Sequence, residues 1–313
     1  MPRVRAPWPV RASVKAMNRS ALLALTAAGL MFGLTVPLSK VALGWLDPAW
    51  LAAVRFGLAA PVLAVIARRA LRAAATPRVA AWGAGGYGAM VVLPNLGVER
   101  TSVTHAAIIF GAVPVFVAAG SVLAGRAAAG PAAWSGFGVA LAGVALVAGS
   151  GGAASPVGDA LVLASALLGS ALIVVQGELL EGQDPVAVTA VQMGAAAAFS
   201  LAFALPTSLP VVAPRPEQAI ALAALVSVGS LIPFSLYAYG QARVSAEFAG
   251  AFVNLEPVVG VASGVLAFGN PFGAWQALGS VLVIAGLALS ASASGRRERD
   301  YGPGAGCPAP GAA

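Results

Sequence analysis

The sequence repeats itself at a spacing of 143 residues, where GVERTSVTHAAIIFGAVPVFVAAGSVLAGRAAAGPAAWSGFGVALAGVAL (97–146) aligns without a gap with GQARVSAEFAGAFVNLEPVVGVASGVLAFGNPFGAWQALGSVLVIAGLAL (240–289). Sixteen of the fifty aligned positions are identical. In a chain this rich in alanine, glycine, valine and leucine, chance would match roughly five or six of them. The alignment therefore indicates a duplicated half.

The identical positions include glycines, polar residues and a proline as well as common apolar residues. Among them are Gly97/Gly240, Arg100/Arg243, Ser102/Ser245, Ala106/Ala249, Pro114/Pro257 and Val122-Leu123-Ala124/Val265-Leu266-Ala267. Two similar halves that enter a bilayer from opposite sides can exchange conformations, and this arrangement is typical of secondary transporters. The duplication therefore favours a transporter if the chain lies in a membrane.

The composition indicates a membrane protein. Hydrophobic residues make up 59% of the chain and charged residues 9%, with a mean hydropathy of +0.88. In soluble globular proteins about a quarter of the residues are charged, so this class is excluded. Because the hydrocarbon core of a bilayer is about 30 Å thick and a helix rises about 1.5 Å per residue, each span needs about 20 mainly apolar residues.

Ten stretches of roughly this length are predominantly apolar. They are residues 21–41, 49–66, 80–97, 104–123, 132–148, 160–180, 185–205, 219–239, 245–268 and 272–291. Each is continuously apolar and lacks the alternation of membrane β-strands, so helices are expected rather than a barrel. The predicted fold is an all-α membrane protein of ten transmembrane helices, arranged as two inverted-topology five-helix repeats because five spans per half is an odd number.

The net charge of +7 could suggest a nucleic-acid partner, but the basic residues lie at the membrane flanks. With the N-terminus inside, the inner segments contain fourteen of them: Arg3, Arg5, Arg11, Lys15, Arg19, Arg68, Arg69, Arg72, Arg78, Arg126, Arg243, Arg296, Arg297 and Arg299. The outer loops contain only Arg100 and Arg215, while Lys40 and Arg55 fall within or at the edge of spans. The positive-inside rule therefore places both termini in the cytoplasm, and no nucleic-acid partner is expected.

In this interpretation the chain divides into four segments. They are a basic cytoplasmic N-terminal segment (1–19), a first five-helix repeat (20–150), a second five-helix repeat (151–292) and a disordered cytoplasmic tail (293–313). The single cysteine, Cys307, lies in the tail, so neither an internal disulfide nor a cysteine metal cluster is expected. We expect no cofactor and no metal site, and since the sequence has no ATP-binding motif, an ion or solute gradient would supply the energy.

Glu256 and Arg55 are the leading candidates for substrate binding or proton coupling. A charge at the centre of a span costs about 2.5–3.5 kcal/mol on insertion scales, so such a residue needs a partner or a task. Glu256 could carry a proton or meet a cationic group, or it could be a hydrogen-bonded structural residue. Arg55 could bind a substrate carboxylate, pair with Glu256, or be a structural or outward-snorkelling residue.

Several other polar residues and prolines on the spans belong to the predicted site. The polar residues predicted to line a cavity are Asn95, Gln176, Asn254, Thr35, Ser39 and Tyr237. The prolines predicted to kink helices, each freeing a backbone carbonyl, are Pro37, Pro94, Pro114 and Pro257. The only histidine, His105, is interpreted as a helix-end residue with satisfied hydrogen bonds, and pH sensing is the alternative.

Several of these motifs resemble the ten-span EamA-type group of the drug/metabolite transporter superfamily. The residues that carry the resemblance are the first span with Gly33 and Pro37, Arg55 within LAAVRFGL (51–58), Gly97-x-x-Arg100-Thr-Ser102 leading to Pro114, Leu255-Glu256-Pro257-Val258 and the glycine-rich tenth span. The resemblance covers about residues 20–292. The fourth and ninth spans of that group usually end in Gly-Glu, whereas Gly125-Arg126 and Gly269-Asn270 stand here.

The resemblance implies a small organic solute, such as an amino acid, a related metabolite or a drug, moved across a bacterial cytoplasmic membrane. We therefore expect a secondary active transporter rather than an enzyme, working by alternating access, with export the favoured direction. Its expected partners are the solute, the lipid bilayer and a proton or another coupling ion. Homo-oligomerisation is left open, since nothing in the sequence supports it. The alternatives are a passive channel and a membrane-embedded enzyme or lipid-handling protein, which would need a reactive group such as paired acids with a histidine.

Overall fold

The computed structural model describes residues 19–125, 131–148, 155–207, 212–244, 246–253, 255–270 and 272–300. Within these ranges every regular element is a helix and there is no strand. The all-helical prediction is therefore confirmed for this part of the chain.

The helices of the first half are joined mostly by short connections. In chain order they are α1 (Arg19–Phe32), α2 (Thr35–Ala42), α3 (Pro48–Ile66), α4 (Leu71–Ala74), α5 (Pro77–Trp82), the π-helical segment π1 (Gly83–Ala89), α6 (Met90–Val98), α7 (Val103–Phe110), α8 (Val113–Leu123) and α9 (Pro131–Ala148). In π1 each bonded N–H reaches the carbonyl five residues earlier, which widens the helical turn.

The second half contains longer continuous helices. They are α10 (Pro156–Leu180), α11 (Pro185–Ala204), α12 (Pro216–Val226), the π-helical segment π2 (Ser227–Leu231), α13 (Ile232–Gln241), α14 (Ala246–Val253), α15 (Leu255–Phe268) and α16 (Ala274–Asp300). Proline at the first helical turn and side-chain caps mark several starts. Asp184, for example, accepts hydrogen bonds from the backbone N–H groups of Val186 (2.8 Å) and Ala187 (3.0 Å) at the start of α11.

In the described part of the chain, seven helical stretches are long and apolar enough to cross a membrane. They are Arg19–Ala42, Pro48–Ile66, Val103–Leu123, Pro156–Leu180, Pro185–Ala204, Pro216–Gln241 and Phe248–Phe268. Each coincides with one of the ten predicted spans. The remaining three predicted spans fall on α5–π1–α6, on α9 and on α16, and the apolar parts of the last two, Trp134–Val147 and Ala274–Gly286, are shorter. For these three, membrane crossing stays a prediction.

The last helix is longer than expected. α16 continues to Asp300, past residue 293, at which the disordered tail was predicted to begin. The sequence of this part, ASASGRRERD (291–300), is rich in alanine, arginine and glutamate, which favour helix, and it directly continues an apolar helix. Residues 301–313 of the predicted tail and residues 1–18 of the N-terminal segment lie outside the described residues.

Irregular points in the helices recur at the spacing of the sequence repeat. Residues 84–88, within π1, become residues 227–231, which are π2, when shifted by 143. Gly111 and Ala112 separate α7 from α8, whereas residue 254, which corresponds to Gly111, lies outside the described residues. The matched π-helical segments show that the two halves share local backbone geometry there as well as sequence.

Two of the four prolines predicted to kink helices lie just after a break. Pro37 and Pro114 lie in the first turns of α2 and α8, while Pro257 is the third residue of α15, after residue 254, which lies outside the described residues. In the first turn the missing N–H of proline costs no helical hydrogen bond, so Pro37 and Pro114 fix the start of a new segment. Pro94 lies inside α6.

Helices from corresponding places in the two halves pack against each other. A Cβ atom added to Gly143 on α9 would lie 2.7 Å from the carbonyl O of Gly279 on α16, and one added to Gly286 would lie 2.5 Å from the carbonyl O of Gly136. Residues 136 and 143 of α9 correspond to residues 279 and 286 of α16 at the repeat spacing of 143, so the contact is self-complementary. Residue 136 faces residue 286 and residue 143 faces residue 279, so the two helices run antiparallel.

A second contact of the same kind joins α7 and α8 to α14 and α15. A Cβ atom at Gly260 would lie 2.6 Å from the Cβ of Ala107, and one at Gly250 would lie 3.3 Å from Cγ1 of Val117. Residues 107 and 117 shifted by 143 are 250 and 260. Small residues again allow close approach of the backbones, which is how helices associate in lipid without a hydrophobic driving force.

Two arginines at equivalent positions of the repeat make the same hydrogen bond in each half. Nη1 of Arg100 donates to the carbonyl O of Leu96 (2.8 Å), and Nη1 of Arg243 donates to the carbonyl O of Tyr239 (2.6 Å). Each side chain reaches back four residues to a carbonyl at the end of its helix, α6 or α13. Both arginines therefore cap a helix C-terminus, where a cation is also favoured by the helix dipole.

We expect Gly286→Ala to lower the stability of the protein by about 1–3 kcal/mol, since the new Cβ would overlap backbone atoms of α9. Thermal unfolding in detergent measures this. Gly138→Ala, on α9 itself, is the matched control because nothing lies within 4 Å of its added Cβ. Replacing glycine by alanine in a helix is otherwise favourable by about 0.5–1 kcal/mol, so the control should keep or raise the melting temperature. Equal effects of the two substitutions would contradict the close α9–α16 contact.

Candidate functional site

A cavity of about 130 Å³ lies at the centre of the bundle. Its walls come from α1, α2, α3, π1, α6, α7 and α8 of the first half and from α10, α13, α14 and α15 of the second half. For comparison, an apolar cavity of about 150 Å³ in another protein binds benzene. The cavity is therefore large enough for a small organic molecule, and both halves contribute to it.

Most of the residues predicted from sequence meet in this cavity. Those that line it are Thr35, Ser39, Arg55, Pro94, Asn95, Gln176, Tyr237 and Glu256. Asn254, also predicted, lies outside the described residues. Pro37, Pro114 and Pro257 are not among the lining residues. The described polar residues of the prediction are thus brought together, and Pro37 and Pro114 begin helices beside them.

Arg55 is held by the irregular turn π2. Its side chain on α3 is buried, and Nε donates to Oγ of Ser230 (2.6 Å) while Nη2 donates to the carbonyl O of Gly229 (2.5 Å). The hydroxyl of Ser230 in turn donates to the carbonyl O of Leu225, five residues earlier (2.8 Å). The wide turn of π2 thus turns a carbonyl and a hydroxyl towards α3, and the two bonds fix the guanidinium at the cavity wall.

Glu256 belongs to the second half of the repeat, and its environment differs from that of Arg55. It is 8% exposed and lines the cavity from the first turn of α15. The structure shows no hydrogen bond or salt bridge from its carboxylate to any described residue, so pairing with Arg55, one of the alternatives left open by the sequence, is not formed. A buried carboxylate without a partner is costly. Its position therefore suits a proton or the cationic group of a ligand.

Aromatic rings form one side of the cavity. The ring of Phe234 makes edge contacts with the rings of Tyr87 (4.6 Å between centroids) and Phe32 (5.1 Å), and Phe32 contacts Tyr237 at 5.8 Å. Such edge-to-face pairs stabilise packing beyond the burial of area. Of these four residues only Tyr237 was predicted from the sequence to line the cavity. Tyr87 follows the glycines of π1, and that glycine-rich segment was the one signal that could have pointed to it.

Two amide side chains join α10 to α11 beside the cavity. Gln176 and Gln192 are buried and donate to each other, Nε2 to Oε1, at 2.9 and 2.8 Å. Asn95 has a comparable role, because its Nδ2 donates to the carbonyl O of Pro48 (3.1 Å) and ties α6 to the start of α3. Both Gln176 and Asn95 line the cavity while their amides are used in packing.

No group of three or more His, Cys, Asp or Glu residues that could hold a metal ion occurs in the ranges that the structure describes. The chemistry of the described cavity is therefore that of one guanidinium, one carboxylate, hydroxyls, amides and aromatic rings. Groups of these kinds are able to bind and orient a small solute.

The comparisons with known proteins agree with this description. Residues 19–149 and 156–292 match the model of the EamA-like transporter family. An uncharacterized transporter of Archaeoglobus fulgidus is 26% identical over 289 residues, which is 88% of this chain and 98% of the relative. A crystal structure described only as that of a protein has a similar fold, with a TM-score of 0.67, 22% identity, and coverage of 89% of this chain and 99% of the other.

The apolar helices, the cavity between them and the family match define an integral membrane transporter. The chain belongs to the EamA-like transporter family, within the drug/metabolite transporter superfamily. The similar structure supports the fold alone, and the Archaeoglobus relative is known only as a transporter.

We predict that Gln192→Leu alone destabilises the protein by about 1–2 kcal/mol, because it leaves the buried amide of Gln176 without a partner. In the double variant Gln176→Leu/Gln192→Leu both amides are gone, so most of that loss should be recovered. The free energies of unfolding of the two single variants and the double variant form the cycle that measures the coupling. Additive losses would show that the two amides do not bond to each other.

Proposed function

We propose that this protein is a secondary active transporter that exports a small organic solute across a bacterial cytoplasmic membrane by alternating access. The main support is the cavity, because its lining comes from both halves and includes a fixed guanidinium, Arg55, and a carboxylate, Glu256, that bonds to none of the described residues. A site shared by two similar halves can be exposed on one side and then on the other as one half moves against the other.

The proposed mechanism requires ten spans in two inverted halves. The antiparallel contacts of α9 with α16, and of α7 and α8 with α14 and α15, support this, since each is self-complementary at the repeat spacing. A self-complementary contact between equivalent elements is the mark of two-fold symmetry. Antiparallel packing of equivalent helices is what a two-fold axis in the membrane plane would give. In the proposed arrangement the halves point in opposite directions, and the positive-inside rule puts both termini in the cytoplasm.

The proposed cargo is a small amphipathic molecule with a cationic group. The cationic group would meet Glu256, and an anionic or carbonyl oxygen would accept from Arg55. The aromatic rings around Phe234 would contact its apolar part. A mostly apolar cavity with a few fixed polar groups is the usual design of a small-molecule site. An amino acid, a related metabolite or an amphipathic drug of modest size has these features.

Transport should fall by at least about tenfold in Glu256→Gln and in Arg55→Gln, which corresponds to about 1.4 kcal/mol of lost interaction with the cargo. Metabolite profiling of cells that overproduce the protein, with medium and cytoplasm measured separately, first identifies the cargo and its direction. Transport of that cargo into and out of sealed vesicles then compares the variants.

Glu217→Gln and Arg78→Gln are the matched controls, since both side chains are exposed and lie outside the cavity. They should transport at the rate of the unchanged protein. Unchanged transport in Glu256→Gln and Arg55→Gln would remove both residues from the site.

A counterflow experiment separates a carrier from a channel, because cargo on the far side of the membrane accelerates transport only by a carrier.

A further inference from the structure

A buried polar cluster lies outside the cavity, where α7, α10 and α16 begin. It consists of Thr101, His105, Asp159 and Gln276, whose residues are between 2% and 6% exposed. None of the four lines the central cavity. Thr101 and His105 come from the first half of the chain, and Asp159 and Gln276 from the second. We call these four residues the His105 cluster.

The carboxylate of Asp159 fixes the proton on one ring nitrogen of His105. Its Oδ1 accepts from the hydroxyl of Thr101, and its Oδ2 lies 3.2 Å from Nδ1 of His105. A carboxylate can only accept, so Nδ1 carries the hydrogen in this contact. His105 thus donates to α10 through Nδ1.

Gln276 determines the state of the other ring nitrogen. The Oε1 of Gln276 accepts from the backbone N–H of Gly273 (3.0 Å), which fixes the orientation of the amide. Its Nε2 therefore faces Nε2 of His105, at 3.4 Å. An amide NH₂ can only donate, so Nε2 of His105 has to accept and carries no proton. The ring is neutral in this conformation and joins α10 to α16.

A proton at Nε2 would place two donors opposite each other. The contact between His105 and Gln276 would then be lost, whereas the contact with Asp159 would gain charge and remain. Because His105 lies on α7 and Gln276 on α16, the lost contact is one between the two halves. Protonation would therefore loosen α16 from α7 without releasing α10.

Other charged groups at this end of the bundle bind elsewhere. Lys40, on α2, donates to the carbonyl O of Val98 and lies 3.4 Å from that of Thr101. Glu99 pairs with Arg100 at 3.8 Å; burial is the main cause that raises the pKa of Glu99, and Asp47 adds to it, while Arg100 and Lys40 oppose it. Asn270, which accepts from the backbone N–H of Thr104 (3.4 Å), is neutral.

The repeat does not copy this cluster. Residue 105 shifted by 143 is Phe248, and the residue of the first half that corresponds to Gln276 is Ala133. An ionisable contact between the halves at one end only would favour one of the two open states over the other, and its protonation would change that balance.

We propose that His105 is a proton-binding site, separate from the cavity, and that a proton on its Nε2 opens the contact between α7 and α16. The proposal rests on the proposed exchange between two open states. The experiment that follows needs no cargo, so its failure would leave the function of the cavity untouched.

The test uses a Glu99→Cys/Phe272→Cys variant in which the native cysteine is removed by Cys307→Ser. Both label positions are exposed. Nitroxide labels on the two cysteines report the distance between residue 99 in the first half and residue 272 in the second. Replacing Glu99 also removes another titratable carboxyl from this end. Distance distributions by pulsed electron resonance in nanodiscs are compared at about pH 8 and about pH 5.5, which span the usual titration of imidazole. Loss of one hydrogen bond should increase the ratio of the longer to the shorter distance about fivefold at the lower pH.

Two variants and one control make the result specific. His105→Asn keeps a donor for Asp159 but has no second ring nitrogen, so its distances should not change with pH. Gln276→Glu accepts from protonated Nε2, so its pH response should be reversed. Ser280→Ala, one turn along α16, removes a hydroxyl that donates to the backbone O of Gln276 and should respond like the unchanged protein. Distances independent of pH in the unchanged protein, or an unchanged response in His105→Asn, would overturn the proposal.

Discussion

The close antiparallel contact between equivalent helices is the constraint on which the rest of the structure depends. At Gly143 and Gly286 a single added Cβ would meet backbone atoms of the facing helix, so α9 and α16 can pack this way only with glycine there. In lipid, apolar side chains gain little by leaving the solvent, and close backbone packing is a main source of helix association. Because the pairs Gly143/Gly279 and Gly136/Gly286 are related by the repeat, the contact relates the two halves by a common two-fold axis. The cavity lies between other helices of the two halves.

The polar features of the cavity come from irregular backbone in its walls. Carbonyl groups inside a membrane have to be bonded within the protein, and irregular turns are tolerated where they are buried in it. In π2 the carbonyl of Gly229 and the hydroxyl of Ser230 accept hydrogen bonds from Arg55 and fix its guanidinium in the wall of the mostly apolar cavity. Glu256 bonds to no described residue and lies at the cavity wall on α15. We propose that this difference between a bonded cation and an unbonded anion leaves Glu256 to meet the cargo.

Much of the helical fold could be read from the sequence, since long apolar stretches have one stable form in lipid. Arg55 and Glu256 stood out because charges are rare in such stretches, and both do line the cavity. Their suggested pairing is not formed, because π2 takes the guanidinium, and nothing in SVGSL (227–231) marks a π-turn. The Gln176–Gln192 contact and the aromatic group around Phe234 depend on how separate helices face each other, which a pattern along one helix does not contain.

The central claim is that the two halves are inserted in opposite directions. Single cysteines at Arg100 and Arg243, both exposed and related by the repeat, test it most directly when the native Cys307 is replaced by serine. A membrane-impermeant thiol reagent is added to intact cells, and then to cells whose membrane has been opened. The account predicts that position 100 reacts in intact cells and position 243 only after opening. Reaction of both positions under the same condition would contradict the inverted arrangement and the alternating access that depends on it.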